Sequence, residues 1–137
     1  MASTFEQEIF HLMRKVFQQH TARWQQYLPE LTKPQYAVLR AIAEHPGIEQ
    51  VQLTDAALSS KATLAELLAR LEARGLLQRE QDPADKRRRF ITLTAEGEAL
   101  LDASLPVGHG VDNQFLSRLS VAEQHNLRML LLKITED

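Results

Sequence analysis

A basic, turn-rich tip between two strand-like runs constrains this chain more than any other feature. Asp82-Pro83-Ala84-Asp85 is turn-forming, Lys86-Arg87-Arg88-Arg89 is an unbroken cationic run, and Phe90-Ile91-Thr92-Leu93-Thr94 is β-branched and aromatic. With Leu76-Leu77-Gln78-Arg79-Glu80 ahead of it, the segment predicts a β-hairpin whose tip is too long and too charged for a two-residue turn. It follows directly on a helical pattern. A helix beside an arginine-tipped hairpin is a geometry suited to reading nucleic acid.

The net charge of −2 taken alone argues against such a partner, but its distribution matters more than its sum. Residues 61–90 hold eight of the sixteen Lys and Arg against five acids, a local charge of +3 that leaves −5 for the remainder. A basic module on an acidic body fits DNA binding confined to one face. The 137 residues are enough for one domain, 1–137, and 44% hydrophobic with 25% charged residues is the balance of an ordinary globular protein. No apolar run approaches the ~20 residues that span a bilayer, so no membrane partner is expected. Met1-Ala2-Ser3-Thr4-Phe5-Glu6 lacks the basic-then-apolar order of a signal peptide, and a cytoplasmic location is the expectation. The absence of cysteine excludes disulfides, thiolate zinc sites and thiol redox switches.

Six helices are expected around the hairpin. Ser3-Thr4-Phe5-Glu6-Gln7 reads as a capping box opening a helix to about Leu28, ended by Pro29, with Met13, Val16, Phe17, His20, Trp24 and Tyr27 on its buried face. Thr32-Lys33-Pro34-Gln35 opens a second helix through Val38, Leu39 and Ile42, ending at His45-Pro46-Gly47. A short helix from about Gln50 to Leu58 and a longer one from Lys61 to Arg74, capped by Ser59-Ser60 and closed by Gly75, form a helix-turn-helix pair. Leu64, Leu67, Leu68 and Leu71 face inward, leaving Ser60, Lys61, Thr63, Glu66 and Arg70 outward. Thr94 caps a fifth helix that Pro106 and Gly108-His109-Gly110 should kink or interrupt. Ser120-Val121-Ala122-Glu123 starts the last helix, with Leu127, Met129, Leu130, Leu131 and Leu132. The two terminal helices are amphipathic beyond the needs of a small core, and a second copy in a symmetric homodimer is the expected place to bury them.

Here the residues reach a known family. Leu71-Glu72-Ala73-Arg74-Gly75-Leu76-Leu77, Asp82-Pro83-Ala84-Asp85-Lys86-Arg87 and Leu93-Thr94-Ala95-Glu96-Gly97 occur together at the spacing of the MarR family of winged-helix transcriptional regulators, which the chain resembles over essentially its whole length. The resemblance implies a mainly α fold with a small β-wing. A winged helix-turn-helix lobe (30–94) is flanked by N- and C-terminal dimerisation helices (1–28 and 95–137). It implies a dimeric repressor bound to a palindromic double-stranded operator. In that frame Lys61 to Arg74 enters the major groove, presenting Ser60, Lys61 and Thr63, with Arg70 further along. Arg87 aligns with the wing arginine that reaches the minor groove and Asp85 with the acid that holds it. Arg88 and Arg89 add phosphate contacts or are solvated surface charges. Glu66 and Ala69 depart from the family pattern, and Glu66 is either a specificity residue or a helix-surface charge.

Members of the family commonly release DNA on binding a small aromatic or phenolic, often anionic, ligand. His11-Leu12-Met13-Arg14-Lys15-Val16-Phe17-Gln18-Gln19-His20 is similar to the first helix of the branch sensing aromatic carboxylates. Arg14 matches the carboxylate-clamping arginine, His20 a pocket histidine, and His11 falls where that branch carries an aromatic residue. Arginine offers carboxylate a two-pronged donor, and Met13, Phe17, Trp24 and Tyr36 are candidate apolar walls. The structural alternative is an Arg14 ion pair across the dimer and a core His20. No His-Glu-x-x-His pattern, nucleophile elbow or phosphate loop is present, so neither enzyme, metal nor cofactor is expected. The remaining alternatives are a winged-helix protein-interaction module and a ligand-independent regulator.

Overall fold

The computed structural model describes residues 4–136. Phe5–Gln7 form a single 3₁₀ turn, after which Glu8 is extended (ψ 140°) and α1 runs from Ile9 to Tyr27. The expected helix start at the Ser3 box is therefore corrected: Ser3 lies outside the described residues, Thr4 makes no side-chain cap, and the extended Glu8 breaks the run. Six further regular segments build the lobe: α2 (Lys33–Glu44), β1 (Ile48–Glu49), α3 (Gln50–Ala56), α4 (Lys61–Ala73), β2 (Leu77–Gln81) and β3 (Arg89–Leu93). α5 (Ala95–Phe115) and α6 (Val121–Thr135) complete the chain. The fold is mainly α with a small antiparallel sheet, a winged helix-turn-helix flanked by terminal helices.

Local chemistry accounts for most boundaries. Thr32 and Gln35 close a reciprocal capping box on α2, with Pro34 in its first turn. α4 starts at Ser60, whose Oγ accepts from the Thr63 N–H at 3.2 Å. It ends at Gly75 (φ 76°), where Leu76 N–H reaches Leu71 O (3.0 Å) and Gly75 N–H reaches Glu72 O (2.9 Å), a Schellman closure that needs left-handed backbone. α3 stops at Ala56, short of the expected Leu58, because Leu58 itself turns left-handed (φ 54°).

The sheet order is β1-β3-β2, with Ile48 opposite Ile91 and Leu77 opposite Leu93. β1 was not foreseen, since two residues are too short to show alternation. The core gathers Leu39, Ile42, Leu53, Leu64, Leu68, Leu71, Leu77 and Ile91, so α2, α3, α4 and the sheet share one apolar interior. The inward leucine stripe of α4 is in place, with Leu67 only half-buried.

α5 joins this lobe to the rest. Thr94 N–H donates to Leu76 O (3.1 Å), its hydroxyl donates to Gly75 O (2.5 Å) and accepts from Gly97 N–H (3.0 Å). The expected interruption of this helix is absent: α5 continues through Pro106 for 21 residues. Proline removes one rung, the Asp102 carbonyl losing its donor, while Leu101, Ser104, Gly108 and Val111 keep the helix seated by one buried face. Gly108 permits that seating, because a β-carbon there would stand 3.0 Å from Trp24 Cη2 and 3.1 Å from the Tyr36 hydroxyl.

The burial expected along α1 is present only in part within the protomer. Trp24 is buried and Met13 and His20 half-buried, but Val16, Phe17 and Tyr27 are exposed in the protomer. α6 buries none of its residues. Phe5, Ile9 and Phe10 near one end and Leu130, Leu132 and Ile134 near the other all stand open to solvent. Among the described residues no helix is long and apolar enough to cross a membrane.

Candidate nucleic-acid interface and the His20 cluster

Ser60, Lys61 and Thr63 stand exposed on the first turn of α4. The two hydroxyls are already joined, Ser60 Oγ donating to Thr63 Oγ1 at 2.9 Å. Arg70 is exposed about two turns further along α4, but it donates to Glu66 at 2.9 Å across one helical turn. That pair gives Glu66 a partner within its own helix.

The tip of the wing is built by carboxylates that fold back on main-chain donors. Asp82 accepts from Ala84 N–H (2.8 Å) and Asp85 from Arg87 N–H (3.0 Å), the Asx turns expected of these residues. Asp85 also receives the Arg87 guanidinium on both oxygens, at 3.2 and 3.4 Å. Those Arg87 bonds hold the Asp85 carboxyl below the usual carboxylate range. The Arg87 side chain is 91% exposed, so the pair fixes its base and leaves its outer edge free for a partner. Arg88 is placed differently: its guanidinium bonds Glu49 and Asp82 (3.5 Å) and lies over the Phe90 ring.

Between α3, the start of α4 and the wing runs a groove of about 620 Å³, bordered by Gln50, Thr54, Lys61, Lys86, Arg87 and Arg89, with Asp55 as its acid. The Gln50 Oε1 atom is buried there without a hydrogen-bond partner. Gln50, Thr54 and Lys86 were not among the candidate site residues of the sequence. Only Lys86 carried a signal, as part of the cationic run.

A second cluster lies where α1, α5 and α2 meet. His20 Nε2 contacts Asp112 Oδ1 at 2.6 Å, and Lys33 Nζ contacts His20 Nδ1 at 3.1 Å. An ammonium only donates and a carboxylate only accepts, so this pairing assigns the imidazole proton to Nε2. Burial draws Lys33 below the ordinary lysine value, with Asp112 pulling the other way. Phe115 meets the imidazole edge-on at 5.3 Å, and Trp24 meets Tyr36 edge-on at 4.9 Å. The Trp24 indole N–H is satisfied by Leu31 O at 2.8 Å, whereas the buried Tyr36 hydroxyl has no well-formed hydrogen bond. Burial pushes that hydroxyl's pKa up, and Arg40, 5.7 Å from the ring centroid, pulls it down.

The structure thus brings His20, Trp24 and Tyr36 together, and adds Lys33 and Asp112, which no sequence signal flagged. It does not bring His11 or Arg14 into contact with them. His11 meets the Phe5 ring in a tilted contact at 4.3 Å near the start of α1, and Arg14 is exposed.

A helix-turn-helix beside an arginine-tipped, three-stranded wing defines a winged-helix DNA-binding protein. Residues 31–88 match the model of the MarR family. The chain is 62% identical over 131 residues to the transcriptional regulator HosA of Escherichia coli O157:H7, covering 96% of this chain and 97% of that protein. It is 35% identical over 132 residues to the transcriptional repressor NicR of Pseudomonas putida, covering 95% and 84%. The structure of BpsR from Bordetella bronchiseptica, whose DNA binding is regulated by 6-hydroxynicotinic acid, superimposes with a TM-score of 0.92 at 32% identity, covering 100% of this chain and 99% of that one. The chain belongs to the MarR family of transcriptional regulators.

Proposed function

We propose that this regulator is a homodimeric, cytoplasmic repressor of a palindromic operator, released by a small aromatic anion held beside His20. The lobe (30–94) reads DNA, and the segments 1–28 and 95–137 form the dimer base. Each lobe inserts α4 in a major groove, with Ser60, Lys61 and Thr63 at base edges and phosphates, Arg70 behind them, and Arg87, backed by Asp85, in the adjacent minor groove. Two copies then meet half-sites about 34–36 Å apart.

The observation that carries the ligand half is the location of the His20 cluster. It ties α1 and α5 of the base to Lys33, the first residue of α2 in the lobe. The buried Tyr36 hydroxyl beside it still lacks a good partner, which a ligand oxygen would supply. Arg14, exposed two turns before His20 on the same helix, has its guanidinium free to clamp a carboxylate. His11, one turn earlier again, flanks that clamp, while Trp24 supplies an apolar wall. A second ligand oxygen that draws on Lys33 or His20 competes with their mutual contact and shifts the lobe against the base, changing the spacing on which two-groove docking depends. That BpsR answers an aromatic acid and NicR is a repressor supports this reading.

The test is Arg14→Ala, assayed by gel shift across salt with benzoate, hydroxybenzoate, hydroxycinnamate and nicotinate types. Operator binding should persist while release by the effective acid is blunted. Release at unchanged acid concentration would remove Arg14 from the site, and binding without sequence preference would sink the specific repressor.

A further inference from the structure

We propose that Arg88 is the strut that sets the pose of the wing, and that Lys86 and Arg89, with Lys61, make the phosphate contacts of this face beside Arg87. The inference rests on the wing binding DNA, and it divides the cationic run by what each side chain already touches. Arg88 spends both terminal nitrogens within the protein. One bonds Glu49, the last residue of β1, and the other bonds Asp82 at the opposite foot of the tip. Its main chain closes the same loop, with Asp82 N–H donating to Arg88 O and Arg88 N–H to Asp85 O, each at 3.0 Å. The Phe90 ring supports the guanidinium from below at 5.2 Å.

Charge points the same way. Arg88 with two carboxylates is a net-negative group, which repels a phosphate and does not recruit one. Among the described residues no carboxylate lies within ion-pair distance of Lys61, Lys86 or Arg89, and these border the groove beside Arg87. The exposures agree, 47% for the Arg88 side chain against 91% for Arg87. Glu49 directly precedes α3, so the strut anchors the wing tip to the start of the helix-turn-helix. It fixes the angle between the minor-groove and major-groove elements. Arg88 is a positioning residue on this account.

Operator affinity measured against salt separates the two roles, because each lost phosphate contact lowers the slope of log K against log salt by about one. Lys86→Gln and Arg89→Gln should each lower the slope by about one. Arg88→Gln should weaken operator binding about tenfold while leaving the slope and the affinity for random DNA unchanged. Glu49→Gln, which removes a negative charge beside DNA, should nonetheless weaken operator binding, and the double variant should be no worse than Arg88→Gln alone. A slope that falls with Arg88→Gln, full operator affinity in that variant, or tighter binding by Glu49→Gln would overturn the strut. Unchanged slopes for Lys86→Gln, Arg87→Gln and Arg89→Gln together would instead overturn the DNA-bound wing beneath it. If Arg88→Gln does not fold, as thermal unfolding will show, the direction of the Glu49→Gln effect decides alone.

Discussion

Gly97 sits where the backbone just before β2 and the first turn of α5 touch without a side chain between them. A β-carbon on it would stand 1.9 Å from Leu76 O, a main-chain atom with no flexible end to yield. Gly97→Ala should therefore cost about 1–3 kcal/mol or more, the scale of core overpacking, read as a lowered denaturant midpoint. A midpoint within error of the native one would show that this contact is loose in solution. The same residues explain why the family pattern was legible in the sequence. Gly75 needs φ 76°, Thr94 serves as both cap and donor to Gly75, and Gly97 needs the space, so one small joint dictates Gly, Thr and Gly at fixed spacing. Lys33 and Asp112 had no such signature. Asp112 meets His20 from 92 residues away, and a lysine or aspartate on a helix surface looks the same with or without that meeting.

At the scale of elements, Arg79 ties the wing to α4. It sits on β2 and donates to Glu72 on α4 at 2.9 and 3.4 Å, and its hydrogen bonds pull the Glu72 carboxyl below the ordinary value against a smaller opposing effect of burial. A carboxylate whose folded-state pKa is depressed stabilises the fold above its unfolded pKa, near 4.5. That stabilisation is lost as pH falls through the lower, folded value. Glu72→Gln should thus lose at most ~1 kcal/mol at neutral pH, since the acid is partly exposed. Denaturant titrations at pH 7 and pH 3 should show the gap between native and variant shrinking in acid, and a gap that widens would remove the ion pair as its cause. Elements were legible where spacing or caps were strong, as in α2 and α4. They were misread where two signals competed. Ser3-to-Gln7 looks like a cap but precedes an extended Glu8, and Pro106 looks like a break in a helix that packing holds together.

On the scale of the whole molecule, the apolar surface left open by the protomer is concentrated at its two chain ends. α6 has no buried residue, and Phe10, Leu130 and Ile134 are 74%, 59% and 71% exposed. A second copy that covers them yields a particle of twice the 15.6 kDa protomer mass by light scattering at micromolar concentration. Leu130→Asp should shift it toward the monomer and weaken operator binding together, because a single lobe contacts one half-site. A native protein that scatters as a monomer would refute the dimer. In the proposed dimer, α5 is a helix that runs from lobe to base. α5 is about 31 Å long at 1.5 Å per residue. Its lobe end has no slack, being bonded through Thr94 and pressed against Leu76. Midway, Pro106 leaves the Asp102 carbonyl with no rung to hold it. The missing rung lowers the stiffness of the rod near that gap, where packing on one face keeps the helix continuous. In the proposed dimer a change in distance between the two lobes is expected to bend this continuous helix there and not to open the joint at its end.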